Sequence, residues 1–490
     1  MVALAICWYF FLSGNTFKTG LILQAIPNPT ASSEAIPIID SWKGIYFNNS
    51  KIGFSNTQIK KLAVTEPSAY HIKTEMHMLL GMLGQYRETA IKASTYLHTD
   101  LSLHMFDLGI YSANHKMYIR GETTDGDILE LKIVTGESVL KKRINMQHNI
   151  IPSPALAAFL SIQKFNIHDR IVVPVFDPFI LHTDHMTVTF TGTERLKLHG
   201  IVFNTLVAET EFRGIKTRSW IADTGEVVKE TTPFGWVMVV ESPQEATRLI
   251  SDKAQMPDIL SQVSIPSNRP LQHPQDIAFL KALLKNIPGD MFDLITQRQT
   301  AQKQEEGLWI IAVQKENGEE IAKNSLPVHQ ISDITPLMPT YFIQSNDPVI
   351  HKLANEIRQN DDDAWQIVLK LHEWIYKNIR KTPTLSVPSS LDVLRTREGD
   401  CNEHTVLFTA LSRACGIPTK MCAGIVYYQG DFYYHSWPKV FVGRWVDVDP
   451  TLGQVICDGT HIQLIEGDLL QQIQLASILG RIEVEILEAR

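Results

Sequence analysis

The 490-residue sequence has no long basic run, no acidic tail, no low-complexity tract and no repeat of solenoid type. The first absence removes support for nucleic-acid binding, which needs clustered Lys and Arg against phosphate. The others exclude charged tails, biased disordered tracts and repeat arrays. Past the N-terminus no apolar run approaches the roughly 20 residues that a membrane-spanning helix needs. Cysteine is scarce, with five residues: Cys7, Cys401, Cys415, Cys422 and Cys457. What is present is an ordinary globular composition, 44% hydrophobic and 20% charged, with ample material for a core. Net charge is −8, from 45 Lys and Arg against 53 Asp and Glu. The length suits three domains of ordinary size or two large ones.

Residues 1–25 are expected to be a secretory leader or anchor. Met1 to Leu12 is almost wholly apolar, Leu21-Ile22-Leu23 adds a second apolar patch, and cleavage would fall near Ala25. No Lys or Arg precedes the run, which departs from the usual leader and leaves a buried N-terminal strand as the other reading. Residues 26–40, rich in Pro, Ser and Ala, are expected to be a linker. From 41 to 242 the period is mostly two, which predicts a β-rich domain built on antiparallel strands. Asn48-Asn49-Ser50 marks a hairpin, Asp223-Thr224-Gly225 lies between strand-like runs, and Ser153-Pro154-Ala155 starts a helix. The histidines here, among them His71, His77, His104 and His115, lack metal-ligand spacing and read as strand-face residues. Residues 243–340 read as a small mixed domain or an extension of the β domain, with a helix near Asp276 to Lys285 and a strand near Leu308 to Lys315.

Residues 341–490 change character. Asn346-Asp347-Pro348 starts a helix, and Ala364, Val368, Leu371, Ile375 and Ile379 recur at spacings of three and four. The run Asp361-Asp362-Asp363 sits where a helix dipole favours negative charge, and it reads as a cap rather than a metal site. A second helix opens at Gly399-Asp400-Cys401, buries Val406, Leu407, Ala410, Leu411 and Ala414, and stops at Gly416 and Pro418. A thiol at a helix N-terminus meets unpaired N–H groups and the positive end of the dipole. Both favour thiolate, the nucleophilic form. Phe432 to Trp437 reads as a strand and Trp445 to Val448 as its antiparallel neighbour. Asp449 lies 14 positions after His435, opposite it or one diagonal step away. A carboxylate there would fix the imidazole tautomer, and His435 would take the Cys401 proton and return it to a leaving amine. Asp447 shares the strand face and is the rival orienter. His404, three residues after Cys401, is the rival base. Trp437 and Trp445 read as core or cleft-wall aromatics. A free Cys401, with Cys7 in the leader, leaves three cysteines and at most one disulfide. Cys415 and Cys422 read as small buried thiols.

These residues resemble the transglutaminase-like core of the papain superfamily. The matching pieces are Gly399-Asp400-Cys401, Leu411 to Pro418, His435-Ser436-Trp437 and Trp445 to Thr451, within residues 345 to 455. The resemblance implies an α+β fold with the cysteine helix packed on an antiparallel sheet, here preceded by a large, mostly antiparallel β domain. It also implies Cys401 as nucleophile, His435 as base and Asp449 as orienter. Members attack amide-type carbonyls through a thioester or its equivalent. No calcium-site pattern is visible, so neither metal nor cofactor is expected. A second oxyanion donor is sought in the loop Thr382 to Ser390, an indole N–H or a side-chain amide. The expected function is cysteine-dependent acyl transfer on peptide or isopeptide amides, hydrolytic (protease or amidase) by preference, with protein cross-linking as the variant. The expected partner is a peptide or protein substrate of the cell envelope, in an exported protein with membrane association through its N-terminal segment. The competing class is a non-catalytic envelope binding or scaffold protein that uses the β-rich domain.

Overall fold

A computed structural model describes residues 39–490 except 64–67, 83–84, 100–101, 113–114, 125–127, 137, 146–150, 153–164, 178–181, 213–214, 233–234, 249–257, 259–263, 289–291, 319–320, 322, 327–332, 383 and 385–387. The expected leader, most of the expected linker and the helix expected at Ser153 lie outside the described residues. No helix among the described residues is long and apolar enough to cross a membrane. The chain divides into two compact units. One comprises mainly Ile6–Thr135 and Val139–Ile259, the other mainly Leu260–Arg490.

Among the described residues, the first unit carries a 15-stranded sheet. Its described neighbours are antiparallel apart from the parallel pairing of Ile151–Pro152 with Arg170–Asp177. Burial alternates along strands such as Ile128–Thr135 and His115–Thr124, as the period of two predicts. The two-residue hairpin at Asn48-Asn49 places both residues at positive φ, 45° and 65°, the conformation Asn tolerates best after Gly. Strand order is that of two meanders joined in the middle. The first strand, Ile39–Phe47, pairs with the last, Trp236–Val240, from Lys43↔Val240 to Phe47↔Trp236.

The second unit holds the cysteine helix. Strands β1 (Phe279–Lys285), β2 (Gln299–Glu305) and β3 (Leu308–Gln314) form a sheet with a strand from the far end of the chain, Glu483–Ala489. Residues 260–340 of the segment 243–340 therefore belong with the second unit, while its first helix, Pro243–Ala246, contacts the strands Ile39–Phe47 and Ser50–Lys61 of the first. The helix expected near Asp276 to Lys285 is instead β1, with Leu280, Ala282 and Leu284 buried. A short Ala/Leu/Lys run satisfies either period, and pairing on both edges overrides its helical propensity.

Helices α1 (Pro348–Arg358), α2 (Ala364–Asn378), α3 (Ser390–Thr396) and α4 (Cys401–Ala414) follow. Asp347 and Asp363 cap α1 and α2 by accepting from Val349 N–H and Trp365 N–H. The acidic run is consumed structurally: Asp361 lies 3.1 Å from Lys370 and Asp362 3.3 Å from Lys323. Helix α4 ends at Gly416, at φ 83°. It packs on the antiparallel sheet of β4 (Thr419–Tyr428), β5 (Asp431–Phe441), β6 (Trp445–Asp447) and β7 (Ile462–Glu466). The α+β class with a large antiparallel β domain is the observed one.

Gly424 shows how closely β4 and β7 approach. A Cβ there would stand 2.0 Å from the Ile462 carbonyl oxygen. Gly424→Ala is expected to push β7 away and cost the second unit about 1–3 kcal/mol, read as a lower denaturation midpoint of that unit.

Candidate active site

Helix α4 begins with a capping box. The Asp400 carboxylate accepts from Asn402 N–H at 2.9 Å, and Glu403 accepts from Asp400 N–H at 2.8 Å. This fixes the first turn, so the half-buried, free Cys401 thiol is held at the positive end of the helix. The other three described cysteines are free and buried. Burial pushes the Cys415 thiol up to about 11 and lifts Cys422 and Cys457 well above the usual thiol range. They are inert thiols of the core.

His435 is on β5, paired with Gly424 of β4, and buried. Its Nε2 donates to Asp449 Oδ2 at 2.8 Å, and the ring also hydrogen-bonds the Cys401 thiol. With Nε2 occupied by Asp449, Nδ1 is the ring nitrogen left for the thiol. Burial alone would lower the imidazole's pKa. The Asp449 charge and hydrogen bond, with the contact to Cys401, outweigh it and raise it to about 9. Asp449 is completely buried, which would raise its pKa, but the charge and hydrogen bond of His435 and those of His461 hold it well below the carboxylate range.

The β5–β6 ladder explains which aspartate reaches His435. Lys439 pairs with Asp447 and Val448 N–H bonds Pro438 O, so Asp449 comes level with Trp437, one diagonal step from His435. There the chain leaves the ladder. Asp449 pairs reciprocally with Gln454, and its Oδ1 accepts from Thr451 N–H at 2.8 Å and Leu452 N–H at 3.0 Å. Asp447, the rival, accepts instead from Trp437 Nε1–H at 3.0 Å and faces Lys439 at 3.7 Å. His404, the rival base, donates from Nδ1 to Asp400 O at 2.7 Å, and burial lowers its pKa. Trp437 is fully buried and lies nearly parallel to the His435 ring, 6.1 Å between centroids. Trp445 is half-buried against Phe441.

Two further histidines on Asp449 escaped the sequence reading. His372 of α2 meets the Asp449 carbonyl at 3.1 Å, and His461 meets Asp449 Oδ2 at 3.1 Å. His372 lies on the apolar stripe of α2, one position after Leu371. His461 follows a loop with no strong motif, and only its 12-residue offset from Asp449 could have flagged it. His435, Asp449 and His461 are also the grouping of metal-ligand type found among the described residues, with donor atoms within 4.8 Å. Hydrogen bonds among the three already use those atoms. The loop searched for an oxyanion donor is described only at Thr382, Thr384 and from Pro388, so that expectation lies largely outside the described residues.

A thiol at a helix start, an imidazole on the facing strand and a buried carboxylate behind it define the class of thiol–imidazole sites suited to covalent catalysis. Residues 351–450 match the model of the transglutaminase-like superfamily, which agrees with the resemblance seen at Cys401, His435 and Asp449. Among solved structures, the chain is similar to "a Putative Cysteine Protease from Cytophaga hutchinsonii", at 18% identity and TM-score 0.30, covering 44% of this chain and 86% of that one. It is also similar to a "Putative Protease from Parabacteroides distasonis", at 13% identity and TM-score 0.19, covering 71% and 70%. A third is a "Beta-barrel-like Protein of Domain of Unknown Function" from Brucella abortus, at 10% identity and TM-score 0.30, covering 42% and 97%. No curated protein matches the sequence.

Proposed function

We propose that the second unit is a thiol acyl-transfer enzyme that acts on peptide or isopeptide amides and passes the acyl group to water. The observation that carries this reading is the continuous contact from the Cys401 thiol through His435 to Asp449. The Cys401 thiolate adds to the amide carbon, forming a C–S bond as the carbonyl π electrons move to oxygen. Collapse of that intermediate breaks the C–N bond, and the leaving amine takes the proton from His435 Nδ1. Neutral His435 then accepts a proton from water, whose oxygen attacks the thioester, and the sulfur leaves as thiolate. The Cys401 N–H at the start of α4 is one donor for the oxyanion. Hydrolysis is favoured over amine transfer because water needs no dedicated acceptor site. With an N-terminal leader, the substrates would be peptides or proteins of the cell envelope.

The test is incubation of the full chain, under reducing conditions, with a peptide library with and without a primary amine. Mass spectrometry is expected to show cleaved peptides with the wild type and none with Cys401→Ala. Amine adducts on Gln would instead mark a cross-linker. Neither product would favour a binding or scaffold protein.

A further inference from the structure

His461 turns both ring nitrogens to carboxylates. Nε2 is 3.1 Å from Asp449 Oδ2, and Nδ1 is 3.1 Å from Asp458 Oδ1. A neutral imidazole has one N–H and could satisfy only one of them; the other would set a lone pair against an anion. With the ring and both carboxylates completely buried, water cannot relieve that conflict. The geometry therefore requires an imidazolium. The same Asp449 oxygen accepts from His435 at 2.8 Å, and the two imidazole centroids are 5.9 Å apart.

Nor is His461 needed merely to aim Asp449. Oδ1 is already fixed by the Thr451 and Leu452 N–H groups. The loop is clamped separately: Gln454 pairs with the Asp449 backbone and donates to Asp458 Oδ2 at 2.7 Å, while Thr460 N–H and Oγ1–H bond Asp458 Oδ1. What His461 adds is positive charge on the oxygen that supports His435. We propose that His461 is a positioning residue of the site, a second imidazolium that divides the Asp449 carboxylate between two rings and leaves His435 free to surrender its proton to the leaving group. This rests on the reading of His435 as the base.

The groups around the pair are accounted for. On the loop, Asp458 and Asp449 hold His461, and the Cys457 thiol, kept protonated by burial, feels Asp449. From β5 come His435 and the uncharged Trp437, whose ring centroid is 5.2 Å from that of His461. From α2, His372 meets the Asp449 carbonyl, and from α4, His404 feels the Asp449 charge; burial lowers the pKa of both rings. Arg298 touches the Asp458 carbonyl from the β2 side and supports the charge on Asp458. With the carboxylates outweighing burial, the His461 pKa rises to about 9, in accord with the cation that the geometry demands.

The experiment uses the full chain and needs no substrate. Iodoacetate and iodoacetamide label Cys401 at rates whose ratio reports the cation beside sulfur, since only the first reagent is an anion. In the wild type the ratio is expected to fall with a midpoint near 9, as His435 loses its proton. In His461→Asn the midpoint is expected to rise by about one pH unit, because a neighbouring positive charge is removed. His461→Gln serves if Asn disturbs folding. A midpoint that stays or falls in a variant with the wild-type circular dichroism would overturn the inference while leaving His435 as base. If His435→Ala keeps the wild-type pH dependence, the base assignment fails and the inference fails with it. A purely space-filling His461 would alter melting without moving the midpoint.

Discussion

His435→Ala is expected to slow alkylation of Cys401 by neutral reagents at pH 7 and to lower acyl transfer by roughly 10²–10⁴-fold, the usual contribution of a positioned acid–base group. In the wild type, the imidazolium beside Cys401 supplies the counter-charge to the attacking sulfur. Removing the ring takes away the counter-charge and leaves only the helix N-terminus to favour thiolate. Proton transfer to the leaving amine is lost as well, so turnover should fall further than labelling does. The pH profile carries the sign. Because the His435 pKa is raised to about 9, acyl transfer that requires the imidazolium should hold through neutrality and decline as pH passes 9. An ordinary histidine would begin that decline near 6.5. Labelling of His435→Ala at the wild-type rate at pH 7 would show that the ring does not activate the sulfur.

Changes at Asp449 separate chemistry from folding. Asp449→Asn keeps the shape and the acceptor for backbone N–H groups but cannot hold the imidazolium. Acyl transfer is expected to drop about 10³–10⁴-fold, as when the orienting carboxylate of a triad is made neutral. Asp449→Ala also strands two buried imidazoles and the Thr451 and Leu452 N–H groups. It is expected to cost about 3–5 kcal/mol, the range for removing one partner of a buried ionic network. Calorimetry of the full chain reads this as a lower melting temperature of the second unit. Linkage gives a further mark. The folded pKa of both His435 and His461 is raised from 6.5 to about 9. The stability they contribute is fully present below about 6.5 and is lost as pH rises through 9. Asp449 has the opposite sign, its contribution being lost as pH falls through its depressed pKa. Both slopes should flatten in Asp449→Asn.

The parts of this site that could be read from sequence were those set by local rules. Asp400 as cap, Cys401 as the first helical residue and Gly416 as terminator depend on a few neighbouring residues. Asp447 and Asp449 could not be separated with certainty from their shared strand parity alone. The choice is made where the chain leaves the ladder at Asp449 and folds back on Gln454. His461 was invisible because its role comes from a loop closed by side-chain bonds, and nothing in Asp458-Gly459-Thr460 announces that closure. Residues 279–285 were misread for a related reason. Their period is ambiguous by itself, and the decisive partner, Glu483–Ala489, lies about two hundred residues away.

The pairing of Ile39–Phe47 with Trp236–Val240 has a consequence for biogenesis. A central strand of the large sheet emerges from the ribosome some two hundred residues before its neighbour. At roughly 5–20 residues per second, that edge stays unsatisfied for about ten to forty seconds. Until then the nascent chain presents an open template to any passing strand, the circumstance in which holdase chaperones matter most.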